Sequence, residues 1–393
     1  MNIIQFFIII EIMKIKVKPE DFIVEEIGNF KAESRGKFYL YKLFKTGWNT
    51  LDAIRKIAKK NNLSFNNFRY CGKKDRYAKT AQFITIDKKI INEKPDENVY
   101  VIFQGMTNVE ASPAQIMGNR FIIKIRDIPP EKIELLEDRI NKIKKFGFPN
   151  YFGDQRFGSY DKNLGFFGEK ILKGHYNGAL KCLLCSIHSQ DSKEEKERKR
   201  FFFENWGKFD KLEKAARTEI EKRIFKILKE KPKGFLSAIH EYPVEEISMA
   251  LSAYQSYLWN NMLGRLIMEV GTFKIPIKCW LYPSYRELTK ESFDYLKNLE
   301  IPTHGIKPGF VDVKVEDVYN QVLVDEGLYQ EKMSMRKYRK VILKSFLRQA
   351  IVIPDDLKIL EISNDDIYRD KKSITLSFTL PRGSFATVLL KNL

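Results

Sequence analysis

The stretch from Cys71 to Gln82, CGKKDRYAKTAQ, sets one carboxylate, Asp75, among Lys73, Lys74, Arg76 and Lys79. Neighbouring cations favour the ionised form of an acid, so Asp75 is expected to stay a carboxylate even where a bound polyanion or a stacked base excludes water. A carboxylate so placed can attack an anomeric carbon, as in glycosidases, while Lys and Arg around it hold phosphates. The same residues are equally compatible with an Asp that closes a hairpin loop on its own backbone. Two further loops, GNRF (118–121) and NYFGDQRFG (150–158), mix aromatics, amides, arginine and glycine. That mixture suits stacking a base and gripping its edge, and it suits a core turn as well.

Other chemistries find little support. The chain has no G-x-x-x-x-G-K-[ST] phosphate loop, no G-x-G-x-x-G and no H-E-x-x-H, and it lacks the H-x-E and P-C-x-x-C of zinc deaminases. Cys182 and Cys185, with His188 nearby, invite a zinc reading, but a structural site needs four ligands and no second pair follows. The two thiols are therefore read as one buried helix face, and no metal is expected. A metal-dependent nuclease is disfavoured because no second carboxylate accompanies Asp75 locally to hold Mg²⁺. Whatever chemistry exists is expected to come from ordinary side chains, without a cofactor.

The bulk composition points to the partner. Sixty-nine Lys and Arg against 51 Asp and Glu leave a formal charge of +18, and 13% of the residues are aromatic, which together favour a polyanion. A Lys-rich solvated surface of the heat-adapted kind is the plainer alternative. The 393 residues suffice for two cores, and 44% hydrophobic content allows both to be buried. Four cysteines make no disulfide framework and suggest a reducing cytosol. The apolar N-terminal run is interrupted by Glu11, is too short to span a bilayer and carries no signal-peptide cleavage site, so no membrane role is expected. The alternating KIKVKPEDFIVEEI (14–27) reads as the first strand, which makes Met13 a candidate start.

These residues need elements to hold them. Helical spacing of Leu51, Ile54 and Ile57, a cap at Asn49 or Thr50 and closing Lys59 and Lys60 predict a helix. FNNFRYCG and TAQFITI read as paired strands with Asp75 at the tip between them. A strand closed by Pro129 and Pro130 precedes a helix ending near Gly147. From about residue 160 the texture becomes charged and helical, and residues 190–232 read as a solvated helical region. A helix around 247–270 carries Leu251, Tyr254, Leu258 and Met262 on one side and ends at Gly271. Near 336–354 the chain is expected to turn from helix to strand, and the C-terminus to finish as an alternating strand with a Pro-Arg-Gly turn.

Five stretches in order, PEDFIVEEI, GKKDRYAKTAQ, GNRF, PNYFGDQRFG and LPRGSFATVLL, with LSAYQSYLWN as a sixth, resemble the TruD family of tRNA pseudouridine synthases. The long charged segment resembles archaeal or eukaryotic members. The resemblance implies an isomerase that converts a uridine in tRNA, typically the thirteenth nucleotide, to pseudouridine without a cofactor. It implies that Asp75 is the nucleophile and Lys16 its ion-pair partner. Phe22, Asn119, Phe121 and Phe385 then line the uracil pocket, with Arg156 and Gln82 as further substrate contacts. The ending LLKNL departs from the family's R-E-L, so no role is carried onto Lys391 or Asn392. The implied fold is mixed α/β (α+β), a pseudouridine-synthase-like catalytic domain with a central antiparallel sheet, interrupted by an inserted α/β domain. Catalytic parts are expected at 1–158 and 345–393 and the insert at 159–344, in a cytoplasmic monomer that binds tRNA. A non-catalytic RNA-binding or RNA-folding protein is the alternative.

Overall fold

A computed structural model describes residues 13–188, 190–335, 338 and 341–393. The question of a start at Met13 concerns residues 1–12, which lie outside the described residues. Contacts divide the chain into two compact units, 1–148 with 352–393, and 149–351. The boundaries expected from the resemblance, 158/159 and 344/345, lie ten and seven residues inside the second unit.

The first unit is built on an eight-stranded sheet. Its strands are β1 (Phe22–Gly28), β2 (Phe38–Thr46), β3 (Phe68–Tyr70), β4 (Lys79–Ile86), β5 (Val99–Thr107), β6 (Ile116–Ile128), β7 (Asp355–Asn364) and β8 (Lys372–Pro381). The order is β7-β8-β6-β1-β4-β2-β5, with β3 on the edge of β4. All pairs are antiparallel except β1 with β4, where Ile23, Val24 and Glu25 face Lys79, Thr80 and Ala81. Strict alternation sends Tyr41, Leu43 and Lys45 of β2 to one face, and Phe22, Val24 and Glu26 of β1 likewise. On that face α1 (Thr50–Lys60) packs Ala53, Ile54 and Ile57 onto Tyr41, Leu43, Ile84, Ile86, Val99 and Val101. The expected cap is Asn49, whose side-chain oxygen accepts from the Asp52 N–H at 2.9 Å.

The predicted first strand is divided. The ladder with β6 begins at Phe22 and that with β4 at Ile23, after a 3₁₀ turn at Pro19–Asp21, where Asp21 is buried against Arg126 in a two-pronged ion pair (2.8 and 2.9 Å). Arg126, on β6, also binds Asp365 at 3.0 Å and thereby ties the lead into β1 to the β7–β8 turn. The helix α2 (Ile133–Phe146) stops at Gly147, whose φ of +69° takes the left-handed region. After β8, Gly383 (φ +89°) makes the expected turn, and Phe385 caps a short helix, α3 (Ala386–Leu390).

In the second unit the helix Val244–Ile267 is exposed at Glu245, Glu246 and Met249 but buried on nearly all sides from Ala250 onward rather than on one, and it ends four residues before Gly271. Residues 190–232 are helical, as predicted, but broken into Lys193–Glu204, Phe209–Ala215 and Glu219–Glu230. Capping boxes at Ser192/Glu195 and Thr218/Glu221 start two of them. Phe202, Leu212, Ile224, Phe225 and Leu228 are fully buried, so the region is a packed bundle; its dense surface charge masked an apolar residue every three or four positions. Residues 336, 337, 339 and 340 lie outside the described residues; 341–346 form no helix, and a strand follows at Leu347–Gln349. Among the described residues no helix is long and apolar enough to cross a membrane.

Candidate active site

The one parallel pair decides where Asp75 goes. Parallel neighbours share their starting edge, so the segments leading into β1 and β4 meet at the same end of the sheet. Lys16 lies six residues ahead of β1 and Asp75 four ahead of β4, and the Lys16 ammonium donates to Asp75 Oδ2 across 59 residues of sequence. Lys16 is held there with φ at +59°, a left-handed backbone that a lysine adopts at a cost. Its Nζ also sits 4.3 Å from the centroid of the Phe22 ring. Burial pushes the Asp75 carboxyl up; the Lys16 hydrogen bond and charge, the Tyr77 N–H on Oδ1 (3.1 Å) and the Lys45 charge outweigh it and leave the group below its ordinary value. Asp75 is a carboxylate, and the partner that keeps it so is remote in sequence. Of its sequence neighbours, Lys73, Arg76 and Lys79 are exposed, and Lys74 binds Glu26 instead.

A buried polar frame fixes the loop from beneath. Gln82 is fully buried: its Oε1 accepts from Thr50 Oγ1 at 2.9 Å and its Nε2 donates to the Gly72 carbonyl at 2.9 Å. Thr50 Oγ1 in turn accepts from the Lys74 N–H at 2.9 Å. Gln82, expected to touch substrate, thus has both ends of its amide engaged, one by Thr50 of α1 and one by Gly72 of the loop that carries Asp75. Glu26, 1% exposed, binds the Lys74 ammonium and accepts from the Phe83 N–H at 3.1 Å. Lys45, also 1% exposed, donates to the main-chain carbonyl of Asp75 at 2.6 Å. Sequence reading missed Glu26 and Lys45. The available signal was parity, since each is a charge on the inward-facing positions of an otherwise apolar alternation.

An aromatic wall adjoins the carboxylate on the same face. β6 lies between β1 and β8, so Phe121 stands opposite both Val24 and Phe378, and Asn119 opposite both Glu26 and Leu380. Phe22 meets Phe121 edge-on (centroids 6.2 Å apart, 72°), and Phe121 stacks on Phe378 at 5.4 Å. The side-chain oxygen of Asn119 is buried with no hydrogen-bond partner among the described residues. Phe385 follows the end of β8 in the turn that donates the Arg382 N–H to the Met117 carbonyl at 3.0 Å, beside the strand bearing Asn119. The fold thus sets Asp75, Lys16, Phe22, Phe121 and Asn119 over one face of one sheet, with Phe385 just beyond the end of β8, where Pro381 pairs with Gly118.

Arg156 belongs to the second unit, where its Nε donates to Ser256 Oγ at 2.9 Å and its guanidinium lies 5.5 Å from the Phe152 ring. Cys182 and Cys185 are buried, and burial pushes both thiols up to about 12. No group of three or more His, Cys, Asp or Glu side chains among the described residues is placed to hold a metal.

The sequence model of the family described as tRNA pseudouridine synthase D (TruD) matches residues 12–279 and 286–393. The chain belongs to the TruD family. Among similar proteins, the tRNA pseudouridine synthase D of Leptospira interrogans is 31% identical over 402 residues, covering 100% of this chain and 98% of that one. A probable tRNA pseudouridine synthase D 2 of Methanocaldococcus jannaschii is 34% identical over 391 residues, covering 96% and 91%. The fold matches the crystal structure of a putative TruD protein from Methanosarcina mazei with a TM-score of 0.72 at 23% identity, over 96% of this chain and 92% of that one.

Proposed function

We propose that this TruD-family chain is a tRNA pseudouridine synthase in which Asp75 is the nucleophile. The reading rests above all on one observation: an ionised carboxylate paired to Lys16, at the edge of an aromatic wall on the same sheet face. Asp75 attacks C1′ of the target uridine, and the C1′–N1 bond breaks with its electron pair passing to the uracil. The freed base turns, its C5 attacks C1′ and displaces the Asp75 carboxylate, and the C5 proton is lost while N1 takes up a proton. No redox change or cofactor enters that balance. Phe22, Phe121 and Phe385 offer faces to a base that has left its stack, and extrusion costs a few kcal/mol that such stacking must offset. The orphaned Asn119 oxygen is an acceptor suited to the uracil imide N–H. Gln82, and Glu26 through Lys74, hold the loop rather than the base. The proposed target is nucleotide 13 of tRNA, with Arg156 a contact of the second unit.

The test is tritium release from tRNA carrying [5-³H]uridine, without metal or cofactor, by wild type and Asp75→Asn. Release by wild type alone, with tRNA bound equally by both, is the expected result. Release by Asp75→Asn would remove Asp75 as nucleophile. Tight tRNA binding without release by either would favour a non-catalytic RNA-binding protein.

A further inference from the structure

The carboxylate of Asp75 has been described through its side-chain partners, yet the main chain that carries it has an anchor of its own. Lys45 projects from the last turn of alternation in β2 onto the site face, between Thr80 of β4 and Val99 of β5, neither of them ionisable. At 1% exposure its four-carbon stem lies in the sheet core and only the ammonium reaches the loop, where it donates to the Asp75 carbonyl at 2.6 Å. A lysine buried to this degree is rare unless its charge has a definite task. A leucine at this parity would extend the apolar row of Tyr41 and Leu43.

We propose that Lys45 is a positioning residue for the isomerisation: it fixes the backbone of Asp75, so that the carboxylate clamped by Lys16 and the Tyr77 N–H is aimed at C1′. The inference rests on the reading of Asp75 as the nucleophile. The frame of Gln82, Thr50 and Glu26 holds the loop at Gly72 and Lys74, one residue short of Asp75. The Lys45 contact extends that hold to the Asp75 carbonyl itself, and misplacement of a reacting group by an ångström costs rate out of proportion to the bond lost. The ionisable groups facing Lys45 are Asp75, whose charge supports its protonation, and Lys74, which opposes it and is itself held by Glu26. Burial dominates and brings the ammonium down to about 8. Near that pH the charge-assisted bond to the carbonyl becomes the weaker bond of a neutral amine.

The experiment compares wild type, Lys45→Met and Lys45→Gln in single-turnover tritium release from [5-³H]uridine tRNA across pH, alongside tRNA affinity. Lys45→Met keeps the stem and loses the donor; its rate should fall about ten- to a hundredfold with tRNA affinity within about twofold of wild type. Lys45→Gln, a neutral donor, should recover part of the loss. The wild-type rate should decline above about pH 8, and that decline should be missing from Lys45→Met. Equal rates in Lys45→Met and wild type, or the same alkaline decline in both, overturns the assignment. Should Lys45→Met not fold, a wild-type rate flat through this range overturns it equally. Absence of release by wild type at neutral pH would instead overturn the reading of the enzyme itself.

Discussion

Replacing Lys16 by Met is the sharpest test of how the site holds its charge. The change removes the ammonium that donates to Asp75 Oδ2 and sits over Phe22, while keeping a linear side chain. Met carries the same left-handed backbone cost at φ +59°, so that strain cancels in the comparison. Asp75 keeps the Tyr77 N–H at 3.1 Å and the more distant Lys45 charge, and burial, the largest influence on it, then acts with less opposition. A hydrogen bond to a charged group contributes about 1.5–3 kcal/mol, so its loss moves the Asp75 pKa upward. The sign follows from the wild-type direction. A carboxyl depressed below its ordinary 3.8 is ionised through neutral and mildly acid pH, and adds stability that is present above that value and lost only as pH falls through the folded one. In Lys16→Met the titration moves up, so the acid limb of tritium release should lie at higher pH than in wild type, with rate lost where wild type still holds it. Single-turnover release from [5-³H]uridine tRNA, followed from about pH 4.5 to 8, reads this directly. An acid limb at the wild-type position would show that Lys16 does not govern the ionisation of Asp75.

Two further outcomes follow from groups outside the site. His304 is fully buried, stacked on Tyr319 at 4.0 Å, and burial brings it from 6.5 down to about 3. The unfolded chain therefore takes up a proton that the folded one refuses, so thermal stability should decline as pH falls from about 6.5 toward 3, and His304→Phe should flatten that decline in melting curves recorded at several pH values. Among the four cysteines only Cys279 is exposed, and burial pushes the Cys71, Cys182 and Cys185 thiols up to about 12. A thiol reagent should modify one cysteine rapidly in the native protein and four in denaturant, and mass mapping should find the first label on Cys279.

The sequence by itself determined a great deal of this protein. Alternation in FYLYKLFKT and FIVEEI, a capped helix after Asn49 and the stop at Gly147 are local properties, so the elements around Asp75 could be read from residues a few positions apart. The motifs that resemble the TruD family likewise marked Lys16, Phe22, Asn119, Phe121 and Phe385 as candidate site residues without coordinates. Local sequence went astray where a side chain's partner is distant. It set Asp75 among adjacent cations, when the cation bound to it lies 59 residues away and adjacent Lys74 is bound to Glu26. It gave no hint that both ends of the Gln82 amide lie in the frame beneath the loop. It passed over Glu26 and Lys45, two charges at core-facing positions, because an isolated charge in an alternating strand has meaning only once the loop lying over it is known. Strand order decided these matters. The parallel pairing of β1 with β4, inside a sheet otherwise antiparallel, brings two lead-in segments to one edge, and no periodicity within either segment encodes which strand its neighbour will be.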